Sequence, residues 1–238
     1  MAAADILTSE LNNIGTMLAA IAALGTAAYG LVDTTKVFWG GISNAGFGYI
    51  EKALRPFAPA LVAAGGNDWP LTLHAHWING MRKEDQKAIA KALIHLGLSP
   101  QNAAQLAVFG RVDPLALQTV VQNLDAGNPL TPADINVLGR FDSMIDAILD
   151  GGYERADQFY RNSSKALAAA FAILIAIAGG ALVAASINMG KVPGDFLGSN
   201  EFVLALLVGI VAVPLAPIAK DISSSLVAAV NAIKATKS

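Results

Sequence analysis

The sequence predicts an all-α integral membrane protein with three transmembrane helices and a helical cytoplasmic domain between the first and the second. Three observations predict it. Of 238 residues, 54% are hydrophobic and only 14% charged, whereas a soluble domain carries about 25% charged residues. Three stretches of eighteen to twenty-two residues contain no Asp, Glu, Lys, Arg or His. No alternating apolar and polar run of useful length signals a β-strand.

The clearest stretch is "ALAAAFAILIAIAGGALVAASI", Ala166 to Ile187, in which Ser186 is the only polar side chain. A helix of this length, rising about 1.5 Å per residue, spans roughly the 30 Å hydrocarbon core of a bilayer. A soluble helix as long would show a polar stripe, and this one has none. "IGTMLAAIAALGTAAYGLV" (Ile14 to Val32) and "FVLALLVGIVAVPLAPIA" (Phe202 to Ala219) behave alike. Pro214 and Pro217 are expected to bend the last turn of the third stretch, which membrane helices tolerate. The first stretch does not read as a signal peptide: Asp5 and Glu10 stand where a basic region belongs.

The basic residues set the orientation. None of the 16 precedes Ile14; twelve lie from Lys36 to Lys165, Lys191 lies between the second and third stretches, and Lys220, Lys234 and Lys237 follow the third. Lys36, Lys52 and Arg55 at one border of the central segment, and Arg155, Arg161 and Lys165 at the other, satisfy the positive-inside rule. The expectation is an N-terminus outside, a central domain inside, a short hairpin outside and a cytoplasmic C-terminus. The domains are then 1–35 (N-terminal segment and first span), 36–160 (cytoplasmic helical domain) and 161–238 (second and third spans with an amphipathic C-terminal helix).

The central segment reads as helical. In "SNAGFGYIEKALRPFAPALVAAGG", Phe47, Ile50, Leu54 and Phe57 recur at three- and four-residue spacing beside Glu51, Lys52 and Arg55. This amphipathic piece either lies on the membrane surface or packs on its own domain. A helix over 83–96 carries Ile89, Leu93 and Leu96 on one face, with Gly97 as its stop. Ser99-Pro100, Asp113-Pro114 and Thr131-Pro132 each pair a capping side chain with a proline at the first helical position. Asp134, three residues after Thr131, completes a capping-box arrangement. Helices over 100–109, 114–124 and 132–149 follow. Gly151-Gly152 is expected to break the run before a long helix that starts near Tyr153 and enters the second span. After Lys220, the tail aligns Ile222, Leu226, Val227, Val230 and Ile233 on one face, for the inner leaflet or an oligomer contact.

Chemistry-bearing clusters are few. There is no cysteine, which excludes disulfides, thiolate metal sites and a cysteine nucleophile. His74 and His76 could ligate a metal only in an extended segment with a third ligand. The other reading places them in a loop beside Trp69 and Trp77, at a membrane interface or partner surface. Asp142, Asp146 and Asp150 are four apart on one helix face, with Glu154 and Asp157 beyond: a solvated face, or a site for a cation or basic partner. No phosphate-binding glycine loop, nucleophile elbow or metalloprotease motif is present. No catalytic, cofactor-binding or metal residue is assigned, and a net charge of −2 provides no field for nucleic acid.

Ala168, Ala172, Ala176, Gly180 and Ala184 in the second span, and Gly15, Ala19, Ala23 and Ala27 in the first, recur every four residues and predict close helix packing in lipid. The spans lack the ionisable groups of proton relays and ion pathways. Phe141-Asp142, Met144, Asp146, Tyr153 and Arg155, followed by a span ending near Asn188, resemble the C-terminal part of uncharacterised bacterial membrane proteins with one N-terminal and two C-terminal spans. The resemblance covers about a quarter of the chain. It implies a bacterial inner-membrane location and no established activity, and the short N-terminal flank and the central segment depart from it.

The expected function is that of a non-enzymatic membrane scaffold or accessory subunit. It would homo-oligomerise or join a membrane complex through small-residue packing and the cytoplasmic domain, with the lipid bilayer as its other partner. An oligomeric channel or small-solute transporter lined by Thr16, Thr26 and backbone is the alternative, and an enzyme using the histidine pair a weak third.

Overall fold

The computed structural model describes residues 2–187 and 193–235. Asn188, Lys191 and Lys237 lie outside them, as do the side chains of Lys220, Ile233 and Lys234. All regular structure among the described residues is helical, and three helices are long and apolar enough to cross a membrane. The chain divides into two compact units: Ser43–Arg161, and the residues on either side of it, up to Ile42 and from Asn162.

The flanking unit holds α1 (Ala2–Thr34), the distal part of α8 (Pro132–Ile187), the short α9 (Pro193–Leu197) and α10 (Asn200–Ala235). Most of its buried apolar residues are small: Ala28, Val32, Ala168, Ala172, Ala212 and Val213 cluster together, while Phe196 of α9 is a large side chain buried beside Gly180. Large side chains point out, with Met17 67%, Leu174 61%, Leu182 72% and Leu204 63% exposed.

Glycines fix the pairing. A Cβ on Gly180 would stand 3.2 Å from the Ala205 Cβ, and one on Gly209 would stand 2.6 Å from the Ile173 Cα. As the number rises along α8 it falls along α10, so the second and third apolar stretches form an antiparallel hairpin in register. Gly25 opposes Ala212 and Ala216, and Gly15 opposes Leu226. Thus α1 is also antiparallel to α10, but shifted toward its C-terminal half.

This arrangement departs from the expected topology. In a three-span protein, spans one and three cross in the same direction and would lie parallel. Antiparallel packing puts the N-terminal end of α1 and the C-terminal end of α10 together, whereas the expected topology sets them apart.

Two local expectations also change. The prolines do not stand in a last turn, because α10 continues past Pro214 and Pro217 to Ala235. Proline's fixed φ is itself helical, and each proline forfeits one backbone hydrogen bond. The tail is therefore a continuation of α10, with Leu226 against Gly15 and Val230 buried. In α1 the buried line is Gly15, Gly25, Ala28 and Val32, whereas Ala19, Ala23 and Ala27 are exposed. A strict four-residue repeat drifts about 40° per step around a helix of 3.6 residues per turn, and the three-four alternation stays on one side.

The central unit is built differently. It comprises α2 (Phe47–Leu54), a tight turn at Arg55–Phe57, α3 (Ala58–Gly65), α4 (Trp69–Ile78), α5 (Lys83–Leu96), α6 (Ala103–Gly110), α7 (Pro114–Asp125) and the first part of α8. Its core contains Phe47, Ile50, Leu54, Phe57, Trp69, Phe141 and Tyr153. The amphipathic piece from Ser43 therefore packs on its own domain, and the membrane-surface reading of it falls.

Caps follow the sequence in two cases of three. Asp113 accepts from the Ala116 N–H at 2.7 Å. Thr131 and Asp134 form a reciprocal box, the Thr131 N–H donating to Asp134 at 2.9 Å and the Asp134 N–H to Thr131 Oγ1 at 3.2 Å. The Ser99-Pro100 start fails, and α6 begins at Ala103. There Asn102 bridges the turn, accepting from the Ser99 N–H and donating to the Gly97 carbonyl.

Gly151-Gly152 does not interrupt α8. Gly152 is a packing residue, since a Cβ there would meet the Ala53 Cβ at 2.6 Å. Gly97 likewise ends α5 with a negative φ of −93°. What it supplies is room, because any side chain there would collide with the Ala60 carbonyl.

Candidate functional site

The most organised polar feature is a ladder between α5 and α8. On α5, Gln86, Ala90 and Ile94 are buried, and Lys87, Lys91 and His95 each follow one of them by one residue. On α8, Phe141, Ile145, Leu149 and Tyr153 are buried, and Asp142, Asp146, Asp150 and Glu154 follow in the same way. One residue is about 100° around a helix, so each polar stripe borders its own core stripe. When the core stripes meet, the polar stripes meet beside them.

The helices run in opposite directions, which pairs rising with falling numbers. Lys83 Nζ lies 2.6 Å from Glu154, Lys87 2.6 Å from Asp150 and Lys91 2.9 Å from Asp146. Asp142 ends the series, 2.7 Å from His95 Nε2 and 3.5 Å from Lys91. Hydrogen bonds to Glu154 and Asp146, aided by surrounding carboxylates, hold Lys83 and Lys91 above the ordinary lysine pKa. Beyond the ladder Asp157 pairs with Arg161 at 2.9 Å.

The acidic face is thus spent inside the domain, where it latches α5 to α8 and offsets repulsion among carboxylates on one helix. Each pair is partly exposed and contributes about 0.2–1 kcal/mol. The Tyr153 hydroxyl and the Gln86 Oε1 are buried without a partner among the described residues. Burial pushes the Tyr153 phenol well above its usual pKa.

The histidines separate. His74 and His76 lie within α4, not in a loop or an extended segment, and two residues on a helix point about 200° apart. The His74 ring packs 4.6 Å from the Phe47 ring. Trp69 is buried, and the Trp77 indole N–H donates to the Ser43 carbonyl at 2.7 Å. No group of three metal-ligating side chains occurs among the described residues. Thr16 and Thr26, exposed on α1, donate to the Asn12 and Ala22 carbonyls of their own helix.

The ladder was legible in principle: a K-x3-K-x3-K-x3-H series over 83–95 faces a D-x3-D-x3-D-x3-E series over 142–154. Sequence reasoning took the second alone. No protein-family model, curated protein or solved structure matches the chain, so the resemblance seen in Phe141 to Arg155 rests on those residues alone.

Proposed function

We propose that the chain is a non-enzymatic membrane scaffold or accessory subunit. Its α8–α10 hairpin crosses the bilayer, and its central helical unit binds a protein partner on the cytoplasmic side. The observation that carries this reading is the placement of large apolar side chains. Around the hairpin most of them face outward, while glycine and alanine let the two helices approach closely. In the central unit Leu96 is 75%, Val108 63% and Leu115 73% exposed, and these side chains on the 83–130 helices are the ones we offer to a partner. The partner surface we assign to these positions, since the Asp142–Asp150 carboxylates are already engaged.

Both chain ends share the cytoplasmic side in this proposal. Fifteen of the 16 basic residues then lie inside, and the N-terminal segment, which has none, is free of the positive-inside constraint. A bacterial inner membrane is the setting this charge distribution and the sequence resemblance favour.

Reporter fusions test the topology. One after Asp195 should report outside, and those at the N-terminus, within 80–130 and after Ser238 inside. An N-terminal reporter found outside would restore three crossings. For the function, Leu115→Glu should release a co-purifying protein without altering membrane insertion. Saturable ion flux in liposomes that is lost on Thr16→Val or Thr26→Val would establish a channel instead.

A further inference from the structure

α1 ends in an exposed apolar tip. Val37 is 82%, Phe38 73% and Trp39 96% exposed, and Trp39 and Val37 are the two most exposed large apolar residues among those described. The tip is built, not frayed. The Thr35 hydroxyl donates to the Val32 carbonyl at 2.7 Å and accepts from the Ile42 N–H at 3.3 Å. Trp39 has a φ of +58°, and Gly41, at +44°, closes the loop so tightly that a Cβ would overlap the Thr35 carbonyl. A left-handed tryptophan is an expensive conformation, and here it projects the indole outward. Ile42 returns the chain to the cluster of small residues.

The position of the tip identifies what covers it. Val32, five residues before Val37, is buried with Ala168 and Ala172 at the start of the second apolar stretch, and with Ala212 and Val213 in the last part of the third. The tip therefore stands where the α8–α10 hairpin enters its apolar section. Lys36, paired with Asp33 at 2.8 Å, borders it. An aromatic pair with an indole N–H, next to a basic residue and at the end of an apolar hairpin, matches the boundary between headgroups and acyl chains.

We propose that Val37, Phe38 and Trp39 form an interfacial anchor that inserts into the lipid headgroup–acyl boundary and sets the depth of the hairpin. The occupant is lipid. The proposal rests on the reading of the hairpin as membrane-spanning.

Trp39 makes the test direct. Of the three tryptophans, Trp69 is buried and Trp77 is held by Ser43 and edge-on to Tyr160. The full chain is reconstituted in phosphatidylcholine–phosphatidylglycerol vesicles, and the emission lost on Trp39→Phe is taken as the Trp39 signal. Acyl chains brominated near the carbonyl end should quench that signal at least twofold. Chains brominated near the methyl end should quench it less, and aqueous iodide weakly. Trp39→Gly, which suits the left-handed backbone, should leave the other two tryptophans' emission unchanged and shift a probe attached at residue 166 relative to the same quenchers. Iodide quenching without bromolipid quenching, in vesicles from which alkaline carbonate does not strip the protein, would overturn the anchor alone. Quenching by neither would mean that protein covers the tip, and would also overturn it. Release of the chain by carbonate would remove the membrane reading and the anchor together.

Discussion

The two units solve helix packing in opposite ways. The central unit buries Phe57, Phe141, Ile145 and Tyr153 and borders this core with lysines and carboxylates. The flanking unit buries Ala28, Ala168, Ala172 and Ala212 and turns Leu174, Leu182 and Leu204 outward. Water rewards hiding a large apolar side chain by about 1.5–3 kcal/mol. Lipid gives no such reward, since acyl chains are as apolar as leucine, and what remains is close backbone contact. The inversion is an argument for the bilayer independent of segment length.

The widest break in that comparison comes from deleting one large side chain in each unit. Phe141→Ala should cost about 3–5 kcal/mol, because it empties a buried site that Gly110 is shaped to receive. Leu204→Ala, on the outward face of α10, should change stability by a small fraction of that. Thermal unfolding of the detergent-extracted chain measures both. Equal losses would show that Leu204 is packed against protein and that the flanking unit has an ordinary core.

Next in size is the opposite change. Gly209→Leu forces a side chain onto the Ile173 backbone and should cost about 1–3 kcal/mol. Gly179→Leu, also in the hairpin but with nothing within 4 Å, should be neutral and insert normally. If Gly179→Leu alone changes the size of the extracted particle, that open face is an oligomer contact.

The fold was legible where one segment decides its own structure. The charge-free stretches, the Asp113 cap and the Thr131–Asp134 box depend on neighbours in sequence. Errors fell where a second element decides. Gly152 reads as a breaker until Ala53 is seen against it, Gly97 as a left-handed stop until Ala60 is, and Asp146 as a free carboxylate until Lys91 is. The candidate site was half legible: the acidic series was seen, and its partner series, about sixty residues earlier in the chain, was not. The direction of α1 against α10 was hidden altogether, since small-residue spacing marks a packing face without its partner or sense.

Neighbouring glycines sharpen the point at a smaller scale. Gly152→Ala should cost about 1–3 kcal/mol, as Ala53 must give way. Gly151→Ala meets open space within the same helix and should gain about 0.5–1 kcal/mol. Urea unfolding followed by the buried Trp69 reads both. A gain at both positions would mean that α2 does not approach α8 at Gly152.

The smallest effect separates the units by their electrostatics. Lys87→Met removes one partly exposed pair and should cost about 0.2–1 kcal/mol. Asp150→Lys should cost more, since it sets two cations face to face, and adding Lys87→Asp should recover most of the loss. Lys83 and Lys91 are held above the ordinary lysine value of 10.5. Their folded-state pKa exceeds the unfolded one, so their contribution is complete below that value and fades as pH rises through the raised values. Unfolding of the central unit should therefore become easier at strongly alkaline pH, and slightly easier in high salt, which screens exposed pairs. The hairpin, whose apolar stretches carry no charge, should respond to neither. Recovery in the double variant with matching salt sensitivity would establish that the Lys83–Lys91 series aligns α5 on α8. No recovery would mean that the carboxylates face solvent, and would return the Asp142–Asp150 face to the surfaces open to a partner.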